Sequence, residues 1–191
     1  MPRLSSITAF FPAYNDAGTI PTMIIRALQT LPEVADDYEV VVINDGSTDD
    51  TGRILDELAG VYPRLRVIHR PQPSGYGGVL RGGFAAARLD WVFYTDRDVD
   101  CDFRLMRRAI FDQVTLESTT GTITFELVKK IQDAGFRIVE VPVHHWYRQY
   151  GNSQFFNFPR VARTLLALLG WWWRLVIRQE HRRLPDKAPG R

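Results

Sequence analysis

One run constrains this chain more than any other: Glu39-Val40-Val41-Val42-Ile43, ending at Asn44-Asp45-Gly46-Ser47-Thr48. Four consecutive β-branched residues are apolar at both parities, so neither face of that strand can look at water. Such a strand belongs in the middle of a parallel sheet with helices above and below it. The neighbouring patterns agree. Ile7 to Phe11 reads as a first strand, and Ile20 to Leu31 as a helix after the Asp16-Ala17-Gly18 turn. A second helix runs through Ile54 to Tyr62, with Ser47 or Thr48 as its cap. Leu65 to His69 is a third strand, and Gly75-Tyr76-Gly77-Gly78 opens a helix through Phe84 to Arg88. Trp91 to Thr95 is a fourth strand, Phe103 to Arg108 a strand or helix, Thr124 to Ala134 a helix and Arg137 to Val143 a strand. Strands alternating with helices predict an α/β fold.

At 191 residues the chain has room for one substantial core. A hydrophobic share of 45% and a charged share of 24% exclude a disordered chain. The single cysteine, Cys101, excludes a disulfide framework and a cysteine-rich zinc site, and it suits a reducing compartment. The N-terminus carries no secretory pattern, so the expected location is cytoplasmic. Charge is unevenly distributed. Residues 1–159 hold 16 Lys+Arg against 20 Asp+Glu, a balance of −4, whereas residues 160–191 hold 8 against 2, a balance of +6. A basic tail suits an anionic surface. It lacks any accompanying nucleic-acid motif, so a membrane is the expected partner and nucleic acid is not.

Ligands of open α/β sheets bind beyond the carboxyl ends of the strands. The polar residues there are Asn15 and Asp16, then Asn44, Asp45 and Ser47, then Asp96 and Asp98. Taken singly, each is an ordinary cap or turn residue. Asp96-Arg97-Asp98 at a strand exit places two carboxylates where they could hold Mg2+ or Mn2+ against a diphosphate. Arg97 between them opposes a cation.

Three segments, Pro12-Ala13-Tyr14-Asn15-Asp16, Val42-Ile43-Asn44-Asp45-Gly46-Ser47-Thr48-Asp49 and Phe93-Tyr94-Thr95-Asp96, resemble successive signatures of family 2 glycosyltransferases with the GT-A fold. Cys101-Asp102-Phe103-Arg104-Leu105, the Gly135-to-Val143 segment and Arg148-Gln149-Tyr150-Gly151-Asn152-Ser153 extend the likeness to the branch of dolichol- and polyprenyl-phosphate sugar synthases. The resemblance covers about Ile7 to Phe158, in the family's order. It implies a GT-A, Rossmann-like fold: an abridged, mainly parallel sheet with flanking helices over residues 1–159, then a C-terminal amphipathic helix and tail over 160–191.

By the same resemblance, Pro12, Tyr14, Asp16 and Asp45 contact the donor nucleotide, with Asp16 where the family more often has Glu. Gly75 and Gly77 let backbone pass close to that nucleotide. Asp96 and Asp98 hold the metal, and Asp98 and Arg148 serve catalysis. Arg148 and Ser153 grip the acceptor phosphate. A phosphate nucleophile is ionised near neutral pH, so no strong base is required, and His144 and His145 read as packing or surface residues. The implied reaction is inverting transfer of a sugar from a GDP- or UDP-linked donor to a polyprenyl phosphate.

The pattern departs from the relatives between Asp96 and Cys101, which are only five positions apart where the relatives have a long section. Asp98 is therefore either the second metal carboxylate or part of the downstream motif. A chain that lost its acceptor side could instead be a non-catalytic nucleotide-sugar-binding or membrane scaffold. A nucleotidyltransferase would want a Gly-rich, basic loop after the first strand, which Ala13-Tyr14-Asn15-Asp16 does not supply. From Val161 to Ile177, Leu165-Leu166-Ala167-Leu168-Leu169-Gly170-Trp171-Trp172-Trp173 is framed by Arg163 and Arg174. That stretch is shorter than the roughly 20 residues of a membrane span. It reads as a helix lying in the headgroup region of the cytoplasmic face, with the alternative of packing back on the sheet.

Overall fold

The computed structural model describes residues 3–95, 103–142 and 158–183. Strand β1 (Leu4–Ala13) leads to helix α1 (Ile20–Val34), β2 (Ala35–Asp45), α2 (Thr51–Val61), β3 (Leu65–Arg70), α3 (Tyr76–Ala86) and β4 (Trp91–Tyr94). After these come β5 (Arg104–Arg107), the single turn α4 (Ile110–Gln113) and α5 (Ile123–Asp133). The sheet order is β3-β2-β1-β4-β5. Four strands are parallel, and β5 closes the edge antiparallel to β4. The segment at Phe103 to Arg108, left open between strand and helix, is thus a strand.

Alternation along β1 sorts the core into two halves. Ile7, Ala9, Phe11 and Ala13 join Ile20, Ile24 and Leu31 of α1 and Leu55 of α2 on one face. Phe10 joins Leu80 and Phe84 of α3, Val92 and Tyr94 of β4, and Ile123, Leu127 and Ile131 of α5 on the other. The sheet is therefore sandwiched, as the apolar β2 required. Its Val40, Val41, Val42 and Ile43 are all fully buried.

Several boundaries differ from the sequence expectation, each for a local reason. Helix α1 runs three residues past Leu31 and passes straight into β2. Carbonyls at its end find a collector in Arg3, whose guanidinium donates to Pro32 O at 2.8 Å, to Glu33 O at 3.2 Å and to Ala35 O. Orphan carbonyls at a helix end need such partners. Neither Ser47 nor Thr48 caps α2. Asp50 is its N-cap residue, and the Thr51 amide donates to Asp49 Oδ1 at 3.0 Å. The expected strand from Arg137 to Val143 is not one over its described part: residues 137–142 carry no regular structure, and Val139 and Val141 are exposed. An apolar run becomes a strand only where a neighbour accepts its backbone groups. Residues 137–142 pair with no strand among the described residues.

The C-terminal part forms α6 (Phe158–Trp172), a π-helical turn over Trp173–Ile177 and a last turn, α7 (Glu180–Arg183). Its two ends differ: the last two turns pack on α5 rather than on the sheet, and α6 presents apolar side chains to solvent. The π turn and α7 pack back on α5. Leu175 is buried, Arg174 donates to Glu117 Oε2 at 2.9 Å, and His181 and Arg182 meet the Asp133 carboxylate at 2.7 Å each. Helix α6 instead leaves Leu165, Leu166 and Leu169 exposed, with Trp172 and Trp173 beside them. Among the described residues no helix is long and apolar enough to cross a membrane.

These contacts give a pH dependence. Burial pushes the Asp133 carboxyl up, but Lys129, His181 and Arg182 outweigh it and hold the group below its ordinary 3.8. Glu117 behaves alike: burial opposes, Arg174 and Lys130 prevail, and it lies below its ordinary 4.5. A carboxylate depressed in the folded state adds stability that is complete above its unfolded value and lost as pH falls through the folded one. Docking of the last two turns should hold above pH 4.5 and weaken as pH drops below 3.8. Tryptophan emission of residues 171–173, shifting in acid ahead of global unfolding by far-UV dichroism, is the measurement.

Candidate functional site

The order of strands reverses between β1 and β4, because the chain leaves β3 at one edge and returns through α3 to the far side of β1. A crevice at such a switch point is where α/β sheets receive ligands. Beneath it, Phe10 of β1 stacks on Tyr94 of β4 at 5.3 Å, and Phe84 of α3 meets both edge-on at 5.2 and 5.4 Å. The floor of the site is an aromatic cluster.

Above that floor, β1 and β2 end level with each other, since Ala13 pairs with Asn44. Tyr14 and Asp45 therefore leave adjacent strands at the same height. Their connecting loops are laced together. Asn15, at a positive φ of 49°, donates its amide to Ser47 Oγ at 3.0 Å and accepts the Thr48 amide on Oδ1 at 2.8 Å. Asparagine tolerates that left-handed conformation better than most residues. The Asp16 amide donates to Thr51 Oγ1 at 2.8 Å. The Thr51 hydroxyl, with smaller help from the Thr51 and Ala17 amides, holds the Asp49 carboxyl below its ordinary value despite some opposing desolvation. Asp16 is buried and accepts from Thr19 Oγ1, whereas Tyr14 is 54% exposed and free to meet a flat ligand.

Asp45 anchors the second loop. Only 4% exposed, it accepts the Ser74 amide on Oδ2 at 2.8 Å and the Ser74 hydroxyl on Oδ1 at 2.7 Å, with Arg70 at 3.6 Å. Arg70 also donates to Ser74 Oγ. Arg70 ends β3 opposite Asp45 in the ladder, so a cation, a hydroxyl and a carboxylate share one sheet edge. Gly46 has a φ of +74°, and a Cβ there would lie 2.8 Å from Pro73 Cδ. The β2 exit thus packs directly on the loop that Asp45 holds.

The glycines that follow have a neighbour within the protein. Gly75, at φ +76°, would place a Cβ 2.7 Å from Thr119 O, and Gly77 would place one 2.5 Å from Ser118 O. The Gly77 amide donates to Thr119 O at 3.1 Å. Close backbone approach at these positions is therefore to residues 118–119, which back the loop from behind.

The structure thus brings Pro12, Tyr14, Asp16 and Asp45 to one edge of the sheet, and ties Gly75 and Gly77 to it through Ser74. Asp96, Asp98, Arg148 and Ser153 lie outside the described residues, as do His144 and His145. Among the described residues no group of three His, Cys, Asp or Glu side chains could hold a metal ion. Sequence reasoning missed Arg70, Ser74, Asp49 and Thr51. Arg70 was accessible to the rule already used, since it too stands at a strand's carboxyl end. Ser74 was not, because its role depends on how its loop folds back over β2.

Comparison with known proteins finds relatives among glycosyltransferases. Glycosyltransferase AglD of Haloferax volcanii is 37% identical over 106 residues, 54% of this chain and 17% of that protein. Dolichyl-phosphate beta-glucosyltransferase of Saccharomyces cerevisiae is 29% identical over 122 residues, 61% of this chain and 36% of that one. Polyprenol monophosphomannose synthase of Mycolicibacterium smegmatis is 36% identical over 81 residues, 42% and 27% of the two chains. This chain therefore spans well under half the length of these relatives. Among solved structures, glucosyl-3-phosphoglycerate synthase from Mycobacterium tuberculosis, in complex with Mn2+ and UDP-glucose, is 29% identical with a TM-score of 0.38, covering 49% of this chain and 33% of that one. The family model described as glycosyl transferase family 2 matches residues 8–114, more than half of the sequence and every loop of the edge just described, and the chain belongs to that family.

Proposed function

We propose that this chain binds a nucleoside-diphosphate sugar, GDP- or UDP-linked, at the carboxyl edge of β1 and β2. Its sugar passes to a polyprenyl phosphate at the cytoplasmic face of a membrane. The observation that carries this reading is the paired edge of β1 and β2. Tyr14 stands exposed beside a buried Asp45 whose remaining lone pairs suit the N–H of a uracil or guanine. Pro12 and Asp16 complete the nucleoside side, and the loop of Gly75 and Gly77 borders the diphosphate. Residues 1–159 form the donor-binding unit and 160–191 the membrane-facing one.

Asp96 and Asp98 are the proposed ligands of Mg2+ or Mn2+, a cation that would offset charge on the departing diphosphate. Arg148 and Ser153 would hold the acceptor phosphate, the planar guanidinium matching two phosphate oxygens. Asp98 and Arg148 are the catalytic candidates. An acceptor phosphate oxygen attacks the anomeric carbon, that bond forms as the bond to the nucleoside diphosphate breaks, and configuration inverts. The fold's share is orientation, which is worth many orders of magnitude when reactants are aligned.

Two measurements test this. Titration calorimetry of the chain with UDP- and GDP-sugars, with and without Mn2+, should give binding of one base class. Release of that nucleoside diphosphate on adding a polyprenyl phosphate in vesicles should follow. Binding without release would assign the chain a non-catalytic, sugar-nucleotide-holding role.

Helix α6 supplies the membrane contact in this reading. Its exposed leucines and tryptophans suit the interface between headgroups and acyl chains. The double substitution Leu166→Asp and Leu169→Asp should lower partition onto anionic vesicles about tenfold or more, through lost apolar burial and like-charge repulsion. Equal flotation of both forms would rule the contact out.

A further inference from the structure

Helix α5 carries two ionisable side chains withdrawn from water: Glu126 at 0% exposure and Lys130 at 5%. Their hydrogen bonds all point to one place. Glu126 Oε1 accepts the Glu117 amide at 2.9 Å, and Oε2 accepts the Ser118 amide at 2.8 Å. Lys130 Nζ donates to Glu126 Oε1 at 2.7 Å, to Thr115 O at 2.7 Å and to Glu117 Oε1 at 3.4 Å. Every proton of the ammonium has an acceptor, and both carboxylate oxygens have donors.

What the pair holds is the irregular segment 114–119. That segment is the wall behind the donor loop. Thr119 O receives the Gly77 amide and lies against Gly75, while Ser118 O occupies the space beside Gly77. The loop so backed begins at Ser74, which grips Asp45. From outside, Arg174 takes the other oxygen of Glu117 at 2.9 Å, and Trp171 lies 4.8 Å from the Arg174 guanidinium and 5.9 Å from Lys130 Nζ. The C-terminal helical region thus ends on the same network.

Stability alone does not explain such a pair. Desolvating two charges costs about as much as their attraction returns, and apolar side chains of similar volume often serve as well. What charge adds is direction: fixed positions for the backbone of residues 115, 117 and 118.

We propose that Glu126 and Lys130 are positioning residues of the donor site, fixing the 117–119 backbone and through it the Gly75–Gly77 loop, with Arg174 as the outer end of the same strut. The inference rests on the donor reading above. In Glu126→Gln the new NH2 stands either where the Ser118 amide needs an acceptor or where the Glu117 amide and Lys130 do, so at least one backbone bond is lost. Arg174→Gln acts from the half-exposed end and leaves the core intact.

The full chain, wild type and each variant, should be compared by hydrogen exchange and by calorimetry with the UDP- or GDP-sugar that the wild type binds. In Glu126→Gln, exchange over residues 74–80 and 115–120 should rise about tenfold or more while β1 and β2 keep their protection. Donor affinity should fall about tenfold, and Arg174→Gln should give the same pattern at about twofold to threefold. Uniformly raised exchange, or a loosened loop with unchanged affinity, would overturn the proposal. Should Glu126→Gln not fold, the Arg174→Gln pattern decides alone. A wild type that binds neither donor would sink the donor reading, and the exchange pattern would still judge the strut.

Discussion

Asp45→Ala should lower nucleoside-diphosphate-sugar affinity about 100-fold or more and cost about 2–4 kcal/mol of stability. Both effects come from the same carboxylate. It is buried, and its removal leaves the Ser74 amide and hydroxyl without their acceptor and the Arg70 guanidinium without its carboxylate partner. The loop from Ser74 to Gly77 then loses its anchor on β2, and the base loses the group proposed to accept its N–H. Asp45→Asn separates the two contributions. One oxygen remains for the Ser74 amide, so the loop should stay placed, but the new NH2 repels Arg70 and offers the base a donor in place of an acceptor. Most of the stability should return while affinity stays at least about tenfold down. Calorimetry and thermal unfolding on the three forms give the answer. Unchanged affinity in Asp45→Ala would remove Asp45 from the site altogether.

The layout of the sheet was legible because burial on two faces leaves a plain mark. Val40 to Ile43 could be nothing but a central strand, and its neighbours in sequence became its neighbours in space. Strand ends were legible for the same reason: polar residues that interrupt such runs must lie at the sheet's edge, and Asn15, Asp45 and Ser47 do. Elements whose existence depends on a distant partner were not legible. Residues 137–142 have the composition of a strand and join no ladder among the described residues. Arg3 extends α1 through carbonyls 29 and 30 positions away. The wall of residues 117–119 behind Gly75 and Gly77 was invisible as well. A glycine-rich stretch says only that something comes close, not whether that is a nucleotide or another piece of backbone.

The same ambiguity of glycine gives the largest expected effect on the fold. Gly83→Val should destabilise the protein by about 3 kcal/mol or more, the upper range for overpacking a core. A Cβ at position 83 would lie 2.2 Å from Phe10 Cε2 and 2.4 Å from Cδ2. The ring cannot yield, because Tyr94 stacks on it and Phe84 meets its edge. Phe10 belongs to the strand in the middle of the sheet, so the displaced helix or ring must disturb β1 or β4 on either side of the switch point. Pro12 and Tyr14 follow two and four residues later, and donor binding should weaken along with stability. For a chain of this length each kcal/mol moves the midpoint by about 2–4 °C, so thermal unfolding should shift down by about 6–12 °C. Gly60 is the control. It lies in α2 with nothing within 4 Å of an added Cβ, so Gly60→Ala should raise stability by about 0.5–1 kcal/mol through helix propensity. Opposite signs at the two glycines would separate a residue required for space from one that only loosens a helix. A Gly83→Val chain as stable as wild type would mean that α3 does not sit on Phe10 and that the aromatic floor of the site is built differently.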